Sequence, residues 1–286
     1  MRPDDWHLTH DLDAFLDRAG DFLASRPAPH TVLLTVTDGL RRRGMHVYGE
    51  EAPLLGTLET DGEVAAVLLR TPPYWINLTP LTEEQADALA ARLAAAGHRL
   101  PGVSAETDTA SAFSRAWQRH TGARPDLRRR QRLYRLGELT IPEPVPHGAP
   151  RIATPADRDQ VARWFEEFNE DVGEHNAPDG GTWADFRIAH GGATLWETPD
   201  GTPVSLAAVT PEVAGQVRVT TVYTPAHLRG RGYAGAVTAE VSRAARDSGA
   251  AEVLLFTDLA NPTSNGLYQR VGYRQVADFT VYGFAG

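Results

Sequence analysis

Three groups of residues in this chain could do chemistry. The first is Arg229, Gly230, Arg231 and Gly232, which follow the β-branched run Val219-Thr220-Thr221-Val222-Tyr223-Thr224 and its closing Pro225. Glycines let successive backbone N–H groups point into one concavity, and a helix starting behind them adds unpaired donors and the positive end of its dipole. A turn of this kind holds phosphate. It is not a Walker loop, since no Lys-Ser/Thr follows, and Gly230-x-Gly232 lacks the third glycine of a dinucleotide fingerprint. The second group is Asn261, Ser264, Asn265 and Tyr268, and the third is the acidic run Glu166, Glu167, Glu170, Asp171, Glu174 with His175.

The turn resembles the Arg/Gln-x-x-Gly-x-Gly/Ala signature of the GNAT acetyltransferase superfamily, with Arg229, Gly232 and Ala234 in the signature positions. Further on, residues 254–273 read as a buried strand, an Asn261-Pro262 turn, a short helix capped by Thr263 or Ser264, and a Gly272 stop before a last strand. This order is similar to the family's ending of strand, Asn, helix, Tyr and Gly-Tyr/Phe.

The resemblance implies an acetyl-CoA-dependent N-acetyltransferase. The loop amides of Arg229, Gly230, Arg231, Gly232, Tyr233 and Ala234 would hold the pyrophosphate. The pantetheine arm would lie along the backbone of Val222, Tyr223 and Thr224 like an added strand, with Asn261, Ser264 and Asn265 beside it. Tyr268 would face the sulfur. A phenol with a pKa near ~10 stays protonated at neutral pH and can donate to a thiolate, whose own pKa is near ~8.5. An aromatic packed under the cofactor is the plainer reading of Tyr268.

Some relatives carry a glutamate on the strand before the turn, but Val217-Arg218-Val219-Thr220-Thr221 has no carboxylate. The acidic run is therefore where a base is sought, with Glu167 and Glu170 assigned as catalytic. Its clustering suits a cationic amine of a small molecule or peptide, and a solvated acidic helix face explains it equally well. His227 beside the turn is read as a surface residue. Two alternatives stand: a non-catalytic acyl-CoA-binding regulatory protein, or an acyltransferase using a different acyl donor.

Composition narrows the classes. No cysteine is present, which excludes disulfides, a thiol nucleophile and thiolate metal sites. No spacing among the ten histidines suggests a metal, so none is expected. The net charge of -9 argues against nucleic acid as a partner, and all 28 basic residues are arginine, so the chain cannot modify a lysine side chain of its own. The clusters Arg41-Arg42-Arg43 and Arg128-Arg129-Arg130 with Arg132 are read as solvated loop or strand edge. The start is acidic and lacks a long apolar core, so no membrane partner and a cytoplasmic location are expected, as a monomer or homodimer.

The elements that must position these residues read as α/β. A linker with four prolines at 141–150 separates residues 1–140 from residues 151–286. In the second part, a helix opens at Thr154-Pro155 with Val161, Trp164, Phe165 and Phe168 on one face, and a hairpin turns at Pro199-Asp200-Gly201. The strand at 217–224, the phosphate turn, a helix with Ala234, Val237, Val241 and Ala244 on one face, a strand at 252–258, the Tyr268 helix and a strand at 273–283 follow.

The first part repeats this order without the chemistry. A hairpin at 56–72, a strand at 76–79 closed by Pro80, a helix from Thr82 with a capping box to Gln85 and a Leu89, Ala90, Leu93 stripe, and a helix at 109–117 with Trp117 in the place of Tyr268 match the second part. Glu83 and Glu84 stand where anion donors would be. The reading is tandem GNAT-like domains, each a mixed, mainly antiparallel sheet flanked by helices: a degenerate domain at 1–140 without an acyl-CoA motif and a catalytic domain at 151–286.

Overall fold

A computed structural model describes residues 6–174 and 177–285. His175 lies outside them. Two compact units are present. One comprises residues 1–133, 258–260 and 276–286, and the other residues 134–257 and 261–275.

The first half of the chain opens with β1 (Trp6–Thr9), α1 (Leu12–Ser25) and α2 (Thr31–Arg43), and continues with β2 (Leu54–Thr60), β3 (Glu63–Arg70), β4 (Ile76–Leu78), α3 (Glu83–Ala95), β5 (Gly102–Glu106), α4 (Thr107–Thr121) and β6 (Arg124–Leu136). The second half repeats this sequence of elements as β7 (Ala149–Ile152), α5 (Arg158–Val172), α6 (Gly180–Ala189), β8 (Ala193–Glu197), β9 (Pro203–Val209), β10 (Gln216–Tyr223), α7 (Tyr233–Asp247), β11 (Glu252–Asp258), α8 (Pro262–Val271) and β12 (Tyr273–Ala285). A single 3-10 turn at 155–157 leads into α5, and Asp157 there takes both the backbone and side chain of Thr154.

In each repeat an antiparallel meander gives way to one parallel pair, β4 with β5 and β10 with β11. A parallel pair needs a crossover helix, which α3 and α7 supply. The last strand of the chain ends in the first unit: from Phe279↔Glu106 to Gly283↔Gly102 it runs antiparallel to β5. Thr107 fixes that edge by donating to the Asp278 carbonyl at 3.1 Å.

The first core gathers Leu68, Ile76, Leu89, Leu93, Val103, Phe113 and Trp117, so the Leu89, Ala90, Leu93 stripe is buried as its spacing requires. The second unit holds two cores on opposite faces of its sheet. Val217, Val219, Val237, Val241, Leu255 and Tyr273 fill one, and Trp164, Phe165, Trp183, Leu195, Leu206 and Tyr223 the other.

Several expectations are corrected. On α7 the buried stripe is Val237, Val241 and Ala245, while Ala244 is exposed: the buried arc also takes in Thr238 and Ser242, so its centre lies to the Val241 side of Val237, where Ala245 follows one turn after Val241 and Ala244 falls outside. Arg41, Arg42 and Arg43 are neither loop nor strand edge. They form the last turn of α2, where cations oppose the helix dipole. The linker's final residues Ala149 and Pro150 belong to β7. Helices α1, α2 and α6 were not foreseen. Among the described residues no helix is long and apolar enough to cross a membrane.

Candidate active site

The two strand-to-helix junctions differ at the helix start. In the first unit Thr82 caps α3 from its own side chain, accepting from Gln85 N at 3.2 Å, while Gln85 Oε1 accepts from Thr82 N at 2.9 Å. Glu83 and Glu84 then occupy the first turn. At α7 the N-cap is Gly232, with φ 86° and no side-chain cap, and Gly230 is also left-handed at φ 79°. No side chain caps the first amides of α7, and the positive φ values are those glycine adopts without strain.

The strand leading into this turn is held at its end and open along one side. Ser205 Oγ donates to the Tyr223 carbonyl at 2.9 Å and lies 2.8 Å from Thr224 Oγ1. Arg229 Nε donates to the Thr224 carbonyl at 2.9 Å, and its guanidinium also pairs with Asp171 of α5. The side chain of Arg229 therefore braces strand to helix. Arg231 is exposed, with one contact to the His227 carbonyl at 3.3 Å; His227 itself is exposed. Tyr233 is half-buried against the Val237 core.

The parallel pairing of β10 with β11 runs from Gln216↔Glu252 to Val219↔Leu255 and stops, while β10 continues to Tyr223 and β11 to Asp258. On the other side β10 keeps its partner β9 as far as Tyr223↔Leu206, with a one-residue bulge between Val219 and Val222. Backbone groups of residues 220–223 thus face a cleft between two strands that part.

Helix α8 packs on the same core as α7. Asn261 caps it, accepting from Ser264 N at 3.0 Å. Asn265 is committed elsewhere, accepting from Tyr134 Oη at 3.1 Å and donating to the Asn261 carbonyl at 2.7 Å, so its side chain ties α8 down. Tyr268 packs half-buried against the Val237 core, edge-on to Tyr273 with ring centroids 6.1 Å apart. Burial pushes its phenol up to about 12, and its hydroxyl makes no hydrogen bond among the described residues. In α4 the matching position holds Trp117, which is buried and stacked on Phe113.

The acids of α5 divide between two faces. Glu167 accepts from the Tyr223 hydroxyl at 2.8 Å, and Asp171, one turn on, meets Arg229. Glu166 and Glu170 instead line an open groove of about 400 Å³ with Asn169, with Glu174 just past the end of α5, and with Asp179 and Gly180 at the start of α6. The structure brings Glu167 to the end of β10 and does not bring Glu170 there. Among the described residues no group of three or more His, Asp or Glu side chains could hold a metal ion.

Two features have no counterpart in the sequence reading. Ser205 is one, a buried hydroxyl inside an otherwise apolar strand, which was the available signal. The other is the docking of the proline-rich segment, which its composition marks only as a linker. The segment is anchored by Gly137 and Thr140 on the Gly272 and Val271 carbonyls, and by Trp196 Nε1 on the His147 carbonyl. Between these anchors it runs along the first turn of α7, where a methyl on Gly235 would lie 3.3 Å from Pro142 Cγ and one on Gly232 3.8 Å from Pro146.

An uncapped glycine turn, a parted strand pair and a half-buried phenol lie within one stretch of the second repeat. Residues 158–273 match the model of the Acetyltransferase (GNAT) family, and the chain is an acyltransferase carrying a GNAT domain. Over its length it is similar in fold to a GCN5-related N-acetyltransferase from Sphaerobacter thermophilus, at 19% identity, covering 99% of this chain and 96% of that one with a TM-score of 0.64. A GCN5-related N-acetyltransferase from Kribbella flavida matches at 19% identity, 91% and 96% coverage and a TM-score of 0.58. A tandem GNAT protein from the clavulanic acid biosynthesis pathway matches at 13% identity, 98% coverage of both chains and a TM-score of 0.55. No curated protein matches the chain. The fold is that of tandem GNAT-like domains.

Proposed function

We propose that the chain transfers an acetyl group from acetyl-CoA to a primary amine of a small molecule or peptide. The observation that carries this reading is the contrast between the two junctions: α3 is capped by Thr82 and acidic, whereas α7 begins uncapped behind two left-handed glycines at the end of an open strand. The donor set fits a pyrophosphate and an extended amide-bearing arm.

Amides of residues 229–234 would hold the pyrophosphate, with Arg231 adding charge. Backbone groups of Val222, Tyr223 and Thr224 would pair with the arm, and one N–H there would polarise the thioester carbonyl. Asn261 and Ser264 line the arm from α8. When bound, acetyl-CoA supplies an activated acyl group and a thiolate as leaving group. Glu167 takes the proton of the attacking amine, and Tyr268 gives one to the sulfur. The groove at Glu170 receives the remainder of a cationic acceptor.

The test is release of free thiol from acetyl-CoA with spermidine, tyramine, glucosamine or a dipeptide, with mass spectrometry of the amine. A product one acetyl group heavier supports the reading. Binding of acetyl-CoA without turnover of any amine favours a non-catalytic binding protein, and turnover only with longer acyl-CoAs indicates a different donor.

A further inference from the structure

We infer that the side chain of Tyr223 is a positioning residue for acetyl transfer: its hydroxyl holds the Glu167 carboxylate at the end of β10. This rests on the reading that Glu167 receives the amine proton.

The argument begins with the bulge. Before it, Val217 and Val219 point into the core beneath α7 and α8. After it, Val222 packs on that core, while Tyr223 lies among Trp164, Phe165 and Trp183 on the opposite face. Strand side chains alternate strictly, so without the extra residue Tyr223 would point with Val217 and Val219, away from α5. The register slip between Val219 and Val222 aims the phenol at Glu167.

At 2.8 Å the hydroxyl donates to Glu167 Oε2, and Glu167 Oε1 makes no hydrogen bond among the described residues. One oxygen is pinned and the other is free to accept. The neighbouring acids are placed otherwise, since Asp171 pairs with Arg229 and Glu170 lines the groove by α6. The Tyr223 phenol is pushed up to about 12 by burial and then by Glu167, so it remains a donor at neutral pH. The step balances as follows: the amine nitrogen bonds to the carbonyl carbon, its proton passes to Glu167 Oε1, the C–S bond breaks, and the sulfur takes the Tyr268 proton.

The experiment compares Tyr223→Phe, Glu167→Gln and the double variant by thiol release from acetyl-CoA with spermidine, tyramine and glucosamine. Phenylalanine keeps the packed ring and removes only the donor. The expected result is a kcat lowered about tenfold in Tyr223→Phe and about a hundredfold in Glu167→Gln, KM for acetyl-CoA unchanged, and the double variant no slower than Glu167→Gln. Effects that multiply in the double variant, or a Tyr223→Phe change confined to KM, would overturn the inference. Should the wild-type chain acetylate none of these amines, it is the proposed function that fails. The positioning role is then read from crystal structures of wild type and Tyr223→Phe with acetyl-CoA. Release of the Glu167 carboxylate in the variant supports it, and a carboxylate that stays in place refutes it.

Discussion

Arg229 Nε donates to the carbonyl of Thr224 at 2.9 Å, so the first residue of the glycine turn clamps the strand that precedes it. The same guanidinium reaches Asp171, and its carbon lies 6.0 Å from the Tyr223 ring centroid. Removing this brace loosens both the strand end and α5. In Arg229→Ala the Kd for acetyl-CoA rises about tenfold, or about 1.4 kcal/mol, by calorimetry. Arg229→Lys recovers only part of this, because an ammonium cannot bridge two acceptors with a planar fork. An unchanged Kd in the alanine variant would show the brace to be dispensable.

Gly232 and Gly235 are small for different reasons. At Gly232 the φ of 86° penalises any other residue, so Gly232→Ala should cost about 1–2 kcal/mol. At Gly235 the constraint is the proline segment, since a Cβ there sits 3.3 Å from Pro142 Cγ and the branches of a valine have no room. Gly235→Val should cost roughly 1–3 kcal/mol by overpacking. Urea midpoints measure both, and Pro142→Ala in the Gly235→Val background should restore part of the second loss but none of the first.

Tyr268 has a hydroxyl with no hydrogen bond to lose among the described residues, and a ring that packs on the Val237 core. Tyr268→Phe should keep the urea midpoint while kcat falls about tenfold to a hundredfold. Equal turnover at saturating acetyl-CoA would remove the acid role.

Burial raises both Tyr223 and Tyr268 to about 12, above the ordinary ~10 of an exposed phenol. Between those values the unfolded chain has released protons that the folded chain still holds. Stability therefore falls as pH rises from about 10 to about 12, and is unaffected by these groups below about 10. Urea unfolding across that range should show the decline, and Tyr268→Phe should make it shallower. A slope equal in wild type and variant would contradict the burial of this phenol.

Much of the frame was legible because glycine, proline and β-branched residues punctuate it. The strand at 252–258 is β11 as read, and the Thr82 capping box forms as its spacing implies. What was not legible depends on partners remote in sequence. Helix α6 starts at Gly180-Gly181, which locally favours a turn, and it is held by the Asp179 cap and by Trp183 stacked 4.0 Å from Phe165. The pairing of residues 279–283 with β5 leaves no trace in a period-2 pattern, which encodes a face but not a neighbour. Glu167 and Glu170 looked equivalent because both are acids on one helix. Only the bulge in β10, which turns Tyr223 toward α5, separates them.

The central claim is that the turn at residues 229–235, and not its counterpart at residues 80–85, holds the acyl donor. Calorimetric titration of acetyl-CoA into the full chain tests this most directly, repeated with Gly232→Val. The account predicts one donor bound per chain in the wild type and none in the variant at the same concentrations. Absence of binding in the wild type, or one or more donors still bound in the Gly232→Val chain with its fold intact, would contradict it.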